Sequence, residues 1–262
     1  MSLASYNKGS MLATFCLRLA CGLALALLVL PVAQVNPRFF RVQFLTILAL
    51  AAGCVFLLFA KAGGLGLAFL FAVMACGFFG SLLFSLEGTP FGKPVIVITA
   101  LTTVIALLVA VESTRTVGMK WSSAWFAADQ ITSAMLLGFA TTAMLMGHSY
   151  LIAPTMSITP LIRLLGGLSI AVGLRMVVAG LGLWTWTNGS VVFSLEEDAW
   201  LWLPLRWGLA FIGPLILTWM AWQAAKIRST QSATGILYVA VIFCFLGELT
   251  AQLLRSQTGF VL

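Results

Sequence analysis

Few residues in this chain could do chemistry, because only 8% of them are charged and only one is a histidine. That histidine, His148, stands in a G-H-S-Y segment beside Ser149 and Tyr150, and Thr141 lies seven residues earlier on the same helical face. An imidazole titrates near neutral pH and can hydrogen-bond a carbonyl. We therefore predict that His148, Tyr150, Thr141 and Ser149 contact a quinone or assist proton transfer.

Two other interpretations of His148 stay open. It could be an interfacial histidine bonded to the end of a neighbouring helix, or it could ligate a haem or chlorophyll through one axial position. A haem that needs two histidines from this chain is excluded by the count. We expect no covalently bound cofactor.

A second group of candidates consists of charged residues inside long apolar segments: Asp129, Arg175, Arg206 and Glu248. Such residues are costly in a membrane unless they are paired or used. At a rise of about 1.5 Å per residue, Arg206 and Glu248 lie at the same depth, about 9 Å below one surface. Arg175 lies deeper on that side. We predict an ion-pair cluster of Arg175, Arg206 and Glu248, with Asp129 and Arg18 at its mouth.

This cluster has two interpretations. It could be a structural clamp between helices, or it could line a proton or anion pathway or a polar pocket. Two arginines for each deep carboxylate leave a net positive charge, which suits an anionic or carbonyl-bearing ligand better than a cation.

Long apolar segments must position these residues. The chain is 61% hydrophobic, and many windows of about 20 residues are long enough to cross a bilayer core of about 30 Å. A helix satisfies its own backbone hydrogen bonds in lipid. We therefore predict an all-α, polytopic integral membrane protein with one domain and short loops. Its eight expected helices cover about 11–34, 40–60, 65–86, 95–111, 125–151, 160–186, 200–225 and 233–254.

Small residues indicate how these helices pack. Gly166, Gly173 and Gly180 recur at seven-residue intervals, which favours the close approach of another helix. The five cysteines form no CxxC motif, so we expect no metal site.

The formal charge of +7 lies mostly in short loops and at helix ends, which indicates contact with anionic lipids rather than with nucleic acid. The loops carry neither a P-loop nor a dinucleotide-binding motif, so the chain has no self-contained catalytic domain of those kinds. The one acidic loop contains Glu196, Glu197 and Asp198. We expect a bacterial cytoplasmic (inner) membrane protein with lipids as ligands and other membrane subunits as partners.

Three functions fit these observations. The leading prediction is a subunit of a respiratory-type electron-transfer complex that contacts quinone and assists proton movement without a metal centre of its own. Non-haem quinol-binding subunits of the polysulfide-reductase type have a similar number of helices, which is an analogy of architecture alone. The alternatives are an accessory subunit that only packs against partners, and a small secondary transporter or channel that uses the buried Arg and Glu residues.

Overall fold

The structure, a computed structural model, describes residues 3–58, 63–86, 91–113, 123–153, 156–187 and 199–258. These residues contain eight helices that are long and apolar enough to cross a membrane. The predicted all-α, polytopic fold is therefore confirmed. The acidic loop with Glu196, Glu197 and Asp198 lies outside the described residues.

The helices, in chain order, are α1 (Leu3–Val29), α2 (Pro37–Leu58), α3 (Gly64–Leu83), α4 (Gly92–Ser113), α5 (Ser123–Ile152), α6 (Thr159–Thr187), α7 (Ala199–Trp207), α8 (Gly213–Lys226) and α9 (Thr230–Thr258). α1 ends earlier than predicted because Pro31 has no N–H to continue the helical ladder. A short 3₁₀ turn, Val32–Gln34, follows it.

The seventh span is helical throughout but contains one irregular turn. Its two halves, α7 and α8, are joined by a π-helical turn over Gly208–Ile212. Pro214, the second residue of α8, lacks a backbone N–H, so it cannot donate to the carbonyl four residues earlier. The N–H of Gly213 instead donates to the carbonyl of Gly208, five residues before it. The sequence predicted one helix over about 200–225; the structure contains a π turn within it.

α1 and α5 lie at the centre of the bundle. Within their apolar spans, 67% of α1 and 56% of α5 are buried, against 33% of α2 and of α3. α1 packs against α2, α4 and α5, and α5 also packs against α6 and α9. Outward-facing apolar side chains such as Phe56, which is 85% exposed, are suited to lipid contact. Arg18 on α1 and Asp129 on α5 are therefore held away from lipid.

The contact between α1 and α5 depends on two glycines. A Cβ atom added to Gly138 would lie 1.9 Å from the carbonyl carbon of Gly22, and one added to Gly22 would lie 1.8 Å from the carbonyl oxygen of Ala134. Only glycine permits backbones to approach this closely. One turn before each glycine, α1 carries Arg18 and α5 carries Ala134 beside Ser133. The crossing thus brings Arg18 next to the polar face of α5.

The seven-residue glycine series of α6 does not make such a contact. Indole atoms of Trp222 and Trp207 lie 3.6 Å and 3.9 Å from the Cβ positions of Gly166 and Gly180, and nothing lies within 4 Å of the Cβ position of Gly173. The expectation of a close backbone approach along this series is wrong. The spacing placed the glycines on one face, but the partners on that face are aromatic side chains.

We predict that Gly138→Ala strongly lowers the midpoint of thermal unfolding in detergent, because the new methyl group would overlap the α1 backbone. Gly173→Ala is the matched control and should keep or slightly raise the midpoint, since alanine favours a helix by up to about 1 kcal/mol over glycine. Equal midpoints for the two variants would contradict the proposed crossing.

Candidate functional site

The candidate site is a group of six charged residues that we call the buried charge cluster: Arg18, Asp129, Arg175, Arg206, Glu248 and Arg255. Arg175 is its centre. Its Nε donates to Oε1 of Glu248 (2.8 Å) and its Nη2 donates to Oε2 of Glu248 (3.1 Å). Its Nη1 forms an ion pair with Oδ1 of Asp129. All three side chains are fully buried. The structure therefore joins α5, α6 and α9 through one guanidinium.

Arg18 brings α1 into the same network. Its Nε donates to Oε1 of Gln130 (2.6 Å), and its Nη1 lies 3.8 Å from Oε2 of Glu248. Its Nη2 lies 3.9 Å from Oδ2 of Asp129. The hydroxyl of Ser133 donates to the same Oε2 of Glu248 (2.5 Å). Neutral polar residues thus lie between the charges. Gln130 accepts a hydrogen bond from Arg18, and Ser133 donates one to Glu248.

Arg255 and Gln252 complete the cluster from the last turns of α9. Arg255 pairs with Oδ2 of Asp129 and lies over the ring of Phe126 at 5.6 Å. The Gln252 amide, oriented to satisfy its hydrogen bonds, accepts from Nη1 of Arg18 (3.1 Å). Asp129 consequently contacts three arginines and stands inside the network, not at its mouth.

Arg206 is buried with the others but is not paired as predicted. It is 1% exposed and lies within electrostatic range of Arg175, Glu248 and Asp129. Among the described residues, however, no carboxylate lies within ion-pair distance of it, and its Nε and Nη2 atoms have no hydrogen-bond partner. The prediction of an Arg206–Glu248 ion pair is wrong. Arg175 instead donates hydrogen bonds to both carboxylate oxygens of Glu248.

The cluster carries an excess of positive charge. Four arginines, which stay protonated in proteins, face two carboxylates, so two positive charges remain over. All six residues belong to the half of the bundle that lies toward the start of α5 and the ends of α6 and α9. The site is therefore an electropositive region enclosed by five membrane-spanning helices.

The quinone candidates lie elsewhere and do not form one site. His148 follows Asp129 by 19 residues on α5, which places it about 28 Å away along the helix. His148 is exposed, and its Nδ1 lies 3.5 Å from the hydroxyl of Tyr238. Tyr150 is buried and donates to the carbonyl of Ser157 (2.5 Å). The aromatic partner of His148 is therefore Tyr238 and not Tyr150.

The hydroxyl groups of two further quinone candidates donate hydrogen bonds to backbone carbonyls of their own helix. Thr141 donates to the carbonyl of Leu137 (2.8 Å) and Ser149 to that of Leu145 (2.9 Å). Among the residues that the structure describes, no three His, Cys, Asp or Glu side chains come together to hold a metal ion.

Four residues of this network were not predicted from the sequence: Ser133, Gln130, Gln252 and Arg255. A signal for them existed, because Glu248, Gln252 and Arg255 recur at intervals of four and three residues along α9. This spacing puts all three on one helical face, directed at Asp129 and Arg18.

No protein-family model, curated protein or solved structure matches this chain. Its function must therefore be argued from the buried charge cluster and the helices that hold it.

We predict that Arg175→Gln destabilises the protein by about 3–5 kcal/mol, the usual cost of leaving a buried charge without its partner. Arg163→Gln, at an exposed position on the same helix, should change stability by less than about 0.5 kcal/mol. The measurement is unfolding by a denaturant or by heat in detergent. A double-mutant cycle with Glu248→Gln should give a coupling energy, and strictly additive losses would contradict a direct Arg175–Glu248 pair.

Proposed function

We propose that this integral membrane protein binds an anion in the buried charge cluster and moves it across the membrane, as a small secondary transporter or channel. Its location would be the bacterial cytoplasmic membrane that the sequence analysis expects. The observation that carries the proposal is the excess of two positive charges in a site where only Arg255, at 13%, is partly exposed.

A purely structural clamp does not require this excess. A clamp is most stable when each arginine meets a carboxylate, since an uncompensated charge in a membrane interior costs several kcal/mol. Arg175, Glu248 and Asp129 already satisfy one another and join three helices. Arg206 adds a further buried charge without adding an ion pair among the described residues. A bound anion would compensate it.

The π turn of the seventh span supports the same proposal, because π turns occur frequently at functional sites. In this chain the π turn begins two residues after Arg206. Gly247 of α9 lies against it, because a Cβ atom at Gly247 would be 2.6 Å from Cα of Ala210. This contact holds the irregular turn beside Glu248.

The test is anion flux in proteoliposomes that contain only this chain. We expect wild-type protein to carry a small anion from a panel of chloride, nitrate, phosphate, acetate and succinate, followed by a potential-sensitive or pH-sensitive dye. Arg206→Gln should reduce the flux about thirtyfold at subsaturating anion, because one partner of a buried charge contact is lost.

His148→Ala is the control for this experiment, since His148 lies far from the cluster and should not affect the flux. Wild-type protein that carries none of these anions would contradict transport. So would a flux that Arg206→Gln leaves unchanged.

The electron-transfer hypothesis stays a prediction, with one observation in its favour: the exposed pair of His148 and Tyr238 could present polar groups to a quinone. Purification from native membranes in mild detergent tests it. Stoichiometric cytochromes or iron–sulfur subunits in the preparation, with quinone-linked turnover lost in His148→Ala, would favour electron transfer. A solitary protein that carries anions would favour transport.

A further inference from the structure

The nitrogen atoms of Arg206 that make no hydrogen bond are not scattered over the guanidinium. They are Nε and Nη2, which form one edge of the planar group. Two parallel N–H bonds on such an edge match two oxygen atoms of one carboxylate or phosphate group. The free edge of Arg206 therefore has a defined geometry for its ligand, in addition to its charge.

Arg175 shows what the Nε and Nη2 edge of a guanidinium binds in this protein. Arg175 uses its own Nε and Nη2 to hold both oxygens of Glu248, at 2.8 Å and 3.1 Å. Both arginines are buried and belong to the same cluster. Arg175 thus supplies an internal example of the contact that Arg206 can make with a two-oxygen anion.

A third unpartnered donor belongs to the next residue along the chain, and both side chains lie against Phe211. The indole Nε1 of Trp207 is buried and has no partner among the described residues. The ring of Trp207 packs edge-on against Phe211, with 5.0 Å between centroids, and the guanidinium of Arg206 lies 5.9 Å from the same ring. All three unpartnered groups around Phe211 are N–H donors. A site with unpaired donors calls for a ligand that accepts hydrogen bonds.

We propose that Arg206 and Trp207 form a binding site for a two-oxygen anion, a carboxylate or a phosphate-type group, on the π turn of the seventh span. Nε and Nη2 of Arg206 bind two oxygens of the ligand, and the face of Phe211 covers its apolar side. The inference rests on the proposed function and deepens it, because it names the class of anion that enters the buried charge cluster. A cation is repelled, and a halide has only one atom to offer two parallel donors.

The proposed site implies that Arg206 destabilises the folded protein when no ligand is bound. Removing a buried charge that has no partner should stabilise a protein, whereas removing a paired one should destabilise it. Arg206→Gln is therefore expected to unfold at a higher temperature than the wild type in the absence of added anion. Arg175→Gln should unfold at a lower temperature.

Binding is measured on the purified full chain in detergent, by the shift in unfolding temperature with acetate, phosphate and chloride at equal ionic strength. We expect acetate or phosphate to raise the unfolding temperature of the wild type, and chloride to have no comparable effect. Arg206→Gln should weaken this binding about thirtyfold. Arg206→Lys should retain part of it, because lysine keeps the charge but loses the bidentate edge. The matched control, Arg163→Gln, should bind like the wild type.

The two-oxygen group could belong to a free anion or to a phospholipid headgroup, and native mass spectrometry distinguishes these sources. A free anion gives a shift in unfolding temperature without a retained lipid. A headgroup gives an anionic phospholipid that copurifies with the wild type and is lost in Arg206→Gln, with the response to phosphate appearing after delipidation. Either result supports the site.

Three results would overturn it. The first is a response to chloride equal to that of acetate and phosphate. The second is identical behaviour of wild type and Arg206→Gln toward both probes and toward lipid. The third is a wild type that responds to no probe while the triple variant Glu196→Gln, Glu197→Gln, Asp198→Asn does respond, because a carboxylate of the acidic loop would then be the partner of Arg206.

The binding measurement does not depend on flux. Arg206-dependent binding without flux would leave this site intact and would remove the transport proposal. Flux without Arg206-dependent binding would support transport and would remove this site.

Discussion

The guanidinium of Arg175, held between Glu248 and Asp129, is the interaction on which the rest of this structure depends. A charge in the interior of a membrane protein must be matched where it stands, because neither water nor salt can screen it there. Arg175 is matched by carboxylates from two other helices. The relative positions of α5, α6 and α9 are consequently fixed by electrostatics as well as by shape. Apolar side chains alone would fix them less strictly, since lipid is as apolar as they are.

The positions of the other charges follow from two irregularities in otherwise regular helices. The glycine pair of α1 and α5 removes the side chains that would separate two backbones, so Arg18 can reach the carboxylates from a third direction. The π turn of the seventh span begins two residues after Arg206. The glycine contact brings Arg18 into the network. The π turn lies beside Arg206, which forms no ion pair among the described residues.

The sequence contained enough information for the fold and for part of the site. Hydrophobic length defines a membrane helix almost by itself, so the eight spans were predictable. Counting residues from the helix ends placed Arg206 and Glu248 at one depth and Arg175 deeper on the same side. Depth does not give the direction in which a side chain points around its helix. Arg206 was therefore assigned to Glu248, although Arg175 takes both of its oxygens. Tyr150 was grouped with His148 because they are close in sequence, but residues two positions apart on a helix point to different sides.

The π turn over Gly208–Ile212 also has an evolutionary meaning. Such a turn holds one residue more than the regular α-helical path, and each residue of a helix rotates the chain by about 100°. Loss of a single residue from this stretch would restore a continuous helix and would turn Arg206 by that angle relative to α8. Related chains can therefore be sorted by length alone at this point. Those with one residue fewer in the stretch would keep the eight spans and lose the orientation of the arginine, whatever residue they carry at its position.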